Sequence, residues 1–273
     1  MKFLWAVIRD VFDERSAGGE IVAWHAVDGL RQIGHDAEWW VPGRDDLEAL
    51  LEQTQPDVLV VASDFLPSHE TAVRAARKKR EREGLRVIVH VGEHRDKVRM
   101  YQVADLLISQ WQGPTIDRLS KRTGKAVHYW PHACNPRYHY RVESSAAERV
   151  PIVFVGRYGH RDSDAYNQHI KPYEPDILLI GPDWPGRPAS SVHFQQIAQV
   201  YGRAEKCLNF HNPEQRGPDR MLNARVFEIA ACGRPQICDV PLPFDPLNAD
   251  AAQQWAYNGQ TVADRATELV NWL

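Results

Sequence analysis

Apolar residues in the first 130 positions fall into short, nearly continuous runs at 2–8, 37–41, 57–62, 86–91, 106–109 and 126–130. Strands covered on both faces read this way, whereas a sheet with one wet face would alternate apolar and polar positions. Between the runs, apolar residues recur at helical spacing over 19–33, 45–53, 69–83, 97–103 and 114–123. Strand and helix in alternation predict parallel βαβ units with helices on both faces of a sheet. The rhythm stops over 131–150, where Pro131, Pro136, Ser144-Ser145 and mixed charge show no period, and a linker is placed there. It resumes with strands at 152–156, 177–181, 206–210 and 234–238 and helices near 194–201, 223–232 and 262–273. The expected fold class is therefore α/β, with two facing Rossmann-like doubly wound domains, one over residues 1–143 and one over 144–273. Such sheets bind ligands beyond the carboxyl ends of their strands, which places the expected site between the two halves.

Length agrees with this division, since 273 residues at roughly 150 per domain make about two. Hydrophobic residues are 43% and charged residues 25%, and 33 Lys+Arg against 36 Asp+Glu leave a net charge of -3. That balance argues against disorder and against a protein that coats a polyanion. The four cysteines, Cys134, Cys207, Cys232 and Cys238, have no metal-ligand spacing and read as reduced thiols of a cytoplasmic protein. The apolar start, Phe3 to Ile8, is broken by Arg9-Asp10 with no small-residue cleavage site, so it reads as a strand rather than a signal peptide. No window approaches the roughly 18 apolar residues that a membrane span needs.

Two segments carry candidate chemistry. Ser16-Ala17-Gly18-Gly19-Glu20 follows the first strand and leads into a helix, where glycines let a backbone approach an anion and the helix start offers free N–H groups. It matches neither G-x-G-x-x-G nor a Walker loop, which weakens hydride-transfer and ATPase readings; a βα connection that binds nothing is the alternative. The second segment runs from Arg220 to Asp239 and contains a helix with a small-residue face at Ala230, Ala231 and Gly233. A carboxylate inside so tightly packed a helix, Glu228, is costly unless it accepts hydrogen bonds, and sugar hydroxyls are suitable donors. The alternative is a pairing of Glu228 with Arg225 at i, i+3 on one helix face.

The stretch Arg225-Val-Phe-Glu228-Ile-Ala-Ala-Cys-Gly233-Arg-Pro-Gln resembles the donor-binding signature of GT-B glycosyltransferases, closest to the spore-maturation type of the group 1 glycosyl transferases. Further pieces agree in order: Gly18-Gly19, Gln55-Pro56-Asp57-Val58, Trp130-Pro131-His132-Ala133, Val153-Phe-Val-Gly156-Arg157, Leu179-Ile-Gly181-Pro-Asp-Trp184 and Ala204 to Phe210. The resemblance implies that Glu228 holds the ribose hydroxyls of a nucleotide-sugar, a UDP-sugar foremost. Many relatives carry a second Glu eight positions earlier, where this chain has Arg220. That departure moves the sugar contact to Asn223 or to the backbone around Met221 and Leu222, and it leaves the stereochemical outcome open. Relatives also continue beyond a helix like that at 262–273 with a segment crossing back to the first domain. This chain reads as a minimal version of the fold, for which interdomain mobility or a homodimer is expected.

The donor diphosphate needs cationic partners, and Arg157, Arg225 and Arg161 are the candidates, with the N–H groups of Gly18 and Gly19. No Asp-x-Asp metal site is apparent, so metal-independent transfer without a cofactor is expected. A base for the acceptor hydroxyl should sit at strand ends of the N-terminal half, where Asp10, Asp13, Asp64, His90, Glu93 and His94 lie. Glu93 and His94, then His90 and Asp13, are favoured, because His90-Val-Gly-Glu93-His94 gathers three titratable groups beside a glycine. The basic run Arg74 to Arg82 reads as a solvated helix because Glu81 and Glu83 interrupt it, and Trp39-Trp40 as strand residues with one ring turned to the core. Three alternatives stand beside hydroxyl glycosylation. One is a non-catalytic nucleotide-sugar-binding module of this fold, another a glycosyltransferase acting on hydroxylated bases in DNA, and a third a nucleotide-linked epimerase.

Overall fold

A computed structural model describes residues 1–7, 18–41, 46–62, 78–81, 83–92, 101–158, 163–186, 190 and 192–273. Two compact units emerge: Met1–His132 with Gly217–Met221 and Val262–Leu273, and Ala133–Arg216 with Leu222–Thr261. Among the described residues no helix is long and apolar enough to cross a membrane.

The first unit holds β1 (Lys2–Ala6), α1 (Gly18–Gln32), β2 (Asp36–Trp40), α2 (Leu47–Thr54), β3 (Val58–Ala62), β4 (Arg86–Val91), β5 (Leu106–Ser109), α3 (Pro114–Thr123) and β6 (Val127–Tyr129). Its sheet runs β2-β1-β3-β4-β5-β6, with every neighbouring pair parallel. Period-two alternation divides the apolar runs between two cores. Leu4, Leu59, Val61, Val87, Val89 and Leu107 face one side, while Phe3, Trp5, Val58, Val60, Ile88 and Ile108 face the other. Trp39 and Trp40 follow the same rule: Trp40 is buried in the first core, and Trp39 packs at the second with Arg31 5.4 Å above its ring. Both rings are therefore structural.

Helix ends follow their local chemistry. Asp46 caps α2 by accepting from the Glu48 N–H at 2.9 Å, and α3 starts with Pro114 and stops at left-handed Gly124.

The second unit holds β7 (Val150–Val155), α4 (Ser163–His169), β8 (Ile177–Ile180), α5 (Ile197–Gly202), β9 (Ala204–Asn209), α6 (Ala224–Ala231), β10 (Gln236–Cys238) and α7 (Ala249–Tyr257). The order β10-β9-β7-β8, again parallel, repeats the first four positions of the other sheet. In both, the first strand of the unit lies between the second and the third, so the chain reverses its direction of travel across the sheet at β1/β3 and at β7/β9.

The last helix, α8 (Val262–Asn271), departs from the sequence-based assignment of residues 262–273 to the C-terminal half. It packs on α1 in the first unit, with Ala266 and Leu269 in that unit's second core. Close approach makes the docking specific, since a Cβ on Gly29 would stand 2.3 Å from the Val262 carbonyl oxygen. Gly29→Ala is therefore expected to destabilise the protein by about 1–3 kcal/mol through overpacking, visible as a lower Tm. An unchanged Tm would show that α8 is not seated on α1 in this way.

Residues 217–221 also belong to the first unit. Gln112 and Arg220 exchange backbone N–H to O bonds at 3.0 and 2.9 Å, Asp219 Oδ1 accepts from the Thr115 N–H at 2.8 Å, and Met221 enters the first core. Arg220, eight positions before Glu228, is thus anchored by its backbone in the first unit.

Candidate functional site

Sheets of this kind bind ligands beyond the carboxyl ends of their strands where the order reverses, which here is between β7 and β9, and α6 supplies the side chains that meet there. Arg225, near the start of α6, donates from Nη1 to the Val155 carbonyl at 2.6 Å and from Nη2 to the Phe210 carbonyl at 3.4 Å. One planar guanidinium thereby ties the ends of both strands together, with its carbon 5.3 Å above the Phe154 ring. A Cβ on Gly156 would fall 2.6 Å from Arg225 Nη1 and 2.9 Å from the Phe154 ring, so a larger residue there would disturb this arrangement. Gly181 at the end of β8 packs against it more closely still, since a Cβ there would lie 2.2 Å from the Gly156 oxygen.

Asn223 is the N-cap residue of α6, but its side chain makes no capping bond. Its Nδ2 donates instead to Asn209 Oδ1 at 2.9 Å and to the Phe210 carbonyl at 3.4 Å. The first turn of α6 is left without a side-chain cap, and such a turn presents N–H groups and positive dipole charge to an anion. Asn209 Nδ2 and Asn223 Oδ1 are buried without a hydrogen-bond partner among the described residues, which leaves one donor and one acceptor in place beside the strand ends.

One turn further along α6, Glu228 accepts from the Tyr201 hydroxyl at 3.2 Å. Burial raises its pKa, opposed by the Arg225 charge and the Tyr201 bond. The side chain is partly buried, and Glu228 has more acceptor capacity than the single Tyr201 bond fills. The i, i+3 pairing with Arg225 is real as a charge interaction, but Arg225 donates to backbone carbonyls rather than to Glu228. Arg157, just beyond β7, is about half-exposed and pairs with Asp183, whose Oδ2 lies 3.3 Å from its Nε.

A buried network closes the other side of α6. His211 Nδ1 lies 2.8 Å from Asp239 Oδ1, and His211 Nε2 accepts the Asn223 N–H at 3.3 Å. Burial pushes Asp239 up, but the hydrogen bonds from His211 and the Arg216 charge outweigh it, and its pKa lies below the ordinary value. Among the described residues, His211, Cys238 and Asp239 form the one group whose ligand atoms gather within 4.8 Å. It does not fit a metal. Both His211 nitrogens already have partners, Asp239 at 2.8 Å and the Asn223 N–H at 3.3 Å, and Arg216 stands 3.6 Å from the same carboxylate.

Of the expected donor residues, α6 brings together Asn223, Arg225 and Glu228, and Arg157 lies at the end of the neighbouring β7. Gly18 and Gly19 form the first turn of α1 rather than a preceding loop, in the first unit. His90 sits at the end of β4, 9% exposed, with its ring edge-on to Trp130 at 5.6 Å. His132, quoted in the sequence only as part of a motif, lies near enough to interact with it, and burial and His90 together lower its pKa to about 3. Asp13, Glu93, His94 and Arg161 lie outside the described residues, as do Asp10, Asp64 and most of the basic run. Sequence reasoning assigned no role to His211, Asp239, Asn209 or Tyr201. The available signal was the polar pair Asn209 and His211 closing an apolar strand.

Residues 164–270 match the family described as glycosyl transferase-like. No curated protein matches the chain as a sequence. Several solved structures share its fold. AviGT4, a glycosyltransferase involved in avilamycin A biosynthesis, aligns with a TM-score of 0.61 at 14% identity, over 99% of this chain and 96% of that one. An alpha-glucosyltransferase in complex with UDP-glucose and DNA containing an abasic site aligns at 0.61 and 12%, over 98% and 93%. The T4 phage BGT in complex with its UDP-glucose substrate aligns at 0.54 and 11%, over 99% and 90%. The fold is that of the GT-B glycosyltransferases.

Proposed function

We propose that this GT-B-fold chain is a glycosyltransferase that moves a sugar from a nucleotide-sugar, a UDP-sugar in the first instance, to a hydroxyl acceptor without a metal. The observation that carries this reading is α6, where a partly buried carboxylate with spare acceptor capacity stands one turn from a guanidinium at the carboxyl ends of β7 and β9. Solved neighbours of the same fold hold UDP or UDP-glucose, which supports the choice of donor.

In this mechanism the ribose hydroxyls donate to Glu228, while Arg225, Arg157 and the first-turn amides of α6 face the diphosphate. The acceptor oxygen attacks the anomeric carbon, the bond from that carbon to the diphosphate oxygen breaks, and the nucleoside diphosphate leaves with the electron pair. Fixed donors aimed at that developing charge supply the largest catalytic contribution in such sites. The hydroxyl proton passes to a base, for which His90, Glu93, His94 and Asp13 are the candidates. Gly18-Gly19 would offer further N–H groups to an anionic part of either substrate.

A thermal-shift series with UDP-, GDP-, ADP-, CMP- and dTDP-sugars tests the donor, followed by turnover with candidate acceptors. Stabilisation by one nucleotide class with transfer supports the enzyme; binding without turnover for any acceptor supports the non-catalytic module. Product formed from the donor alone would point to the epimerase.

A hydroxylated base in DNA is the second acceptor reading, favoured by fold neighbours bound to DNA. Against it, the described cations of the basic run have acidic partners: Lys78 with Glu48 at 3.4 Å, Lys79 with Glu83 at 3.3 Å and Arg80 with Asp105 at 2.5 Å. Duplex DNA is therefore expected to bind only weakly, and neutralising Lys78 and Arg80 should leave that binding unchanged. Tight binding that falls steeply with salt, and is lost in that double variant, would instead establish a DNA acceptor.

A further inference from the structure

His211, Asp239 and Asn223 come from three separate elements: the end of β9, the end of β10 and the residue before α6. The His211 ring is fully buried and reaches both of the others, Asp239 Oδ1 at 2.8 Å from Nδ1 and the Asn223 N–H at 3.3 Å from Nε2. A neutral imidazole has one N–H and one lone pair. A carboxylate on Nδ1 fixes the proton there and leaves Nε2 as the acceptor, which is what a backbone N–H requires. Asp239 is itself fixed, since the His211 N–H reaches both of its oxygens at 3.1 Å. The Asn223 side chain is engaged by Asn209 and Phe210, so both its backbone N–H and its amide are directed by the end of β9.

We propose that His211 is a positioning residue of the donor site, which Asp239 holds in one tautomer so that Nε2 anchors Asn223 and sets the start of α6. The inference rests on the reading that α6 holds the nucleotide-sugar. Arg225 is two residues beyond the anchor and Glu228 five, so a shift at Asn223 displaces both groups. The ring has no access to a ligand, so it acts through Asn223 and not by touching substrate.

The test compares His211→Phe, which keeps a ring without nitrogens, His211→Gln, which returns an acceptor to a flat polar side chain, and Asp239→Asn, which releases the tautomer. UDP affinity and steady-state kinetics are measured only on variants whose melting and circular dichroism show a folded chain. His211→Phe and Asp239→Asn are expected to lose about 10- to 100-fold in UDP affinity or kcat/KM, the range typical of residues that orient a binding group, with partial recovery in His211→Gln. The loss should not add to that of Glu228→Ala, because both act on one contact; a purely structural role would give additive losses. Imidazole 15N shifts of the wild-type protein give a readout that survives if the variants fail to fold. A single Nδ1–H tautomer is expected. A mixed or Nε2–H tautomer overturns the proposal, as does a folded His211→Phe with wild-type affinity. If the wild type binds no nucleoside diphosphate, or Glu228→Ala binds as well as wild type, it is the donor reading that fails, whatever the tautomer.

Discussion

Glu228→Gln is expected to raise Tm at neutral pH while weakening the donor complex. Burial raises the pKa of Glu228, so the folded chain holds that proton more tightly than the unfolded chain does. The associated stability is present at low pH and is lost as pH rises through the folded value. Wherever it is ionised, the carboxylate is therefore a cost to the ligand-free fold that a glutamine of the same shape does not carry. Glutamine can still accept from Tyr201, which limits any loss of packing. The gain in Tm over wild type should shrink as pH is lowered. A ribose pressed against glutamine instead loses its charge-assisted partner. Glu228→Ala, which removes the acceptor outright, should weaken UDP binding by about 1–3 kcal/mol. In calorimetry that is roughly a 5- to 150-fold rise in Kd. A Glu228→Gln protein that melts lower than wild type at pH 7 would contradict the desolvation cost, and a folded Glu228→Ala with unchanged affinity would place the ribose elsewhere.

Arg225→Lys should produce the largest kinetic defect of any conservative change. The guanidinium joins Val155 and Phe210 through two nitrogens and lies over Phe154, while lysine offers one compact ammonium. Two strand-end carbonyls lose their fixed donor, with an expected stability loss of about 1.5–3 kcal/mol for hydrogen bonds to a charged group. If the same group faces the leaving diphosphate, kcat should fall about 100-fold or more, as when an oriented donor is removed from a developing oxyanion. Separate measurement of kcat and KM decides the role. A fall confined to KM would make Arg225 a ground-state contact, and a fall in Tm with normal kinetics would make it purely structural.

What could be read from sequence follows from where the information lies. β1, β3 and β4 are apolar at nearly every position because both faces of the sheet are covered, so short windows sufficed. Residues 249–257 were not read as a helix, because Ala252 and Ala256 are its buried positions and two alanines make a faint stripe. The last helix was legible as a helix, since Val262, Ala266 and Leu269 recur at its spacing, but an apolar stripe does not say which unit it covers. Gly29 on α1, more than 230 positions away in sequence, decides that. Within the site, Arg225 and Glu228 stood out because charge inside a small-residue helix is locally anomalous. His211 and Asp239 did not, because each is ordinary alone, and only the strand order β10-β9-β7 makes them neighbours.

A structure of the protein with UDP bound tests the central claim most directly, that α6 of the second unit is the donor-binding element. The expected complex has the ribose hydroxyls within hydrogen-bonding distance of Glu228 and the diphosphate against Arg225 and the first turn of α6. UDP bound away from α6, or seated there with its ribose turned away from Glu228, would contradict it.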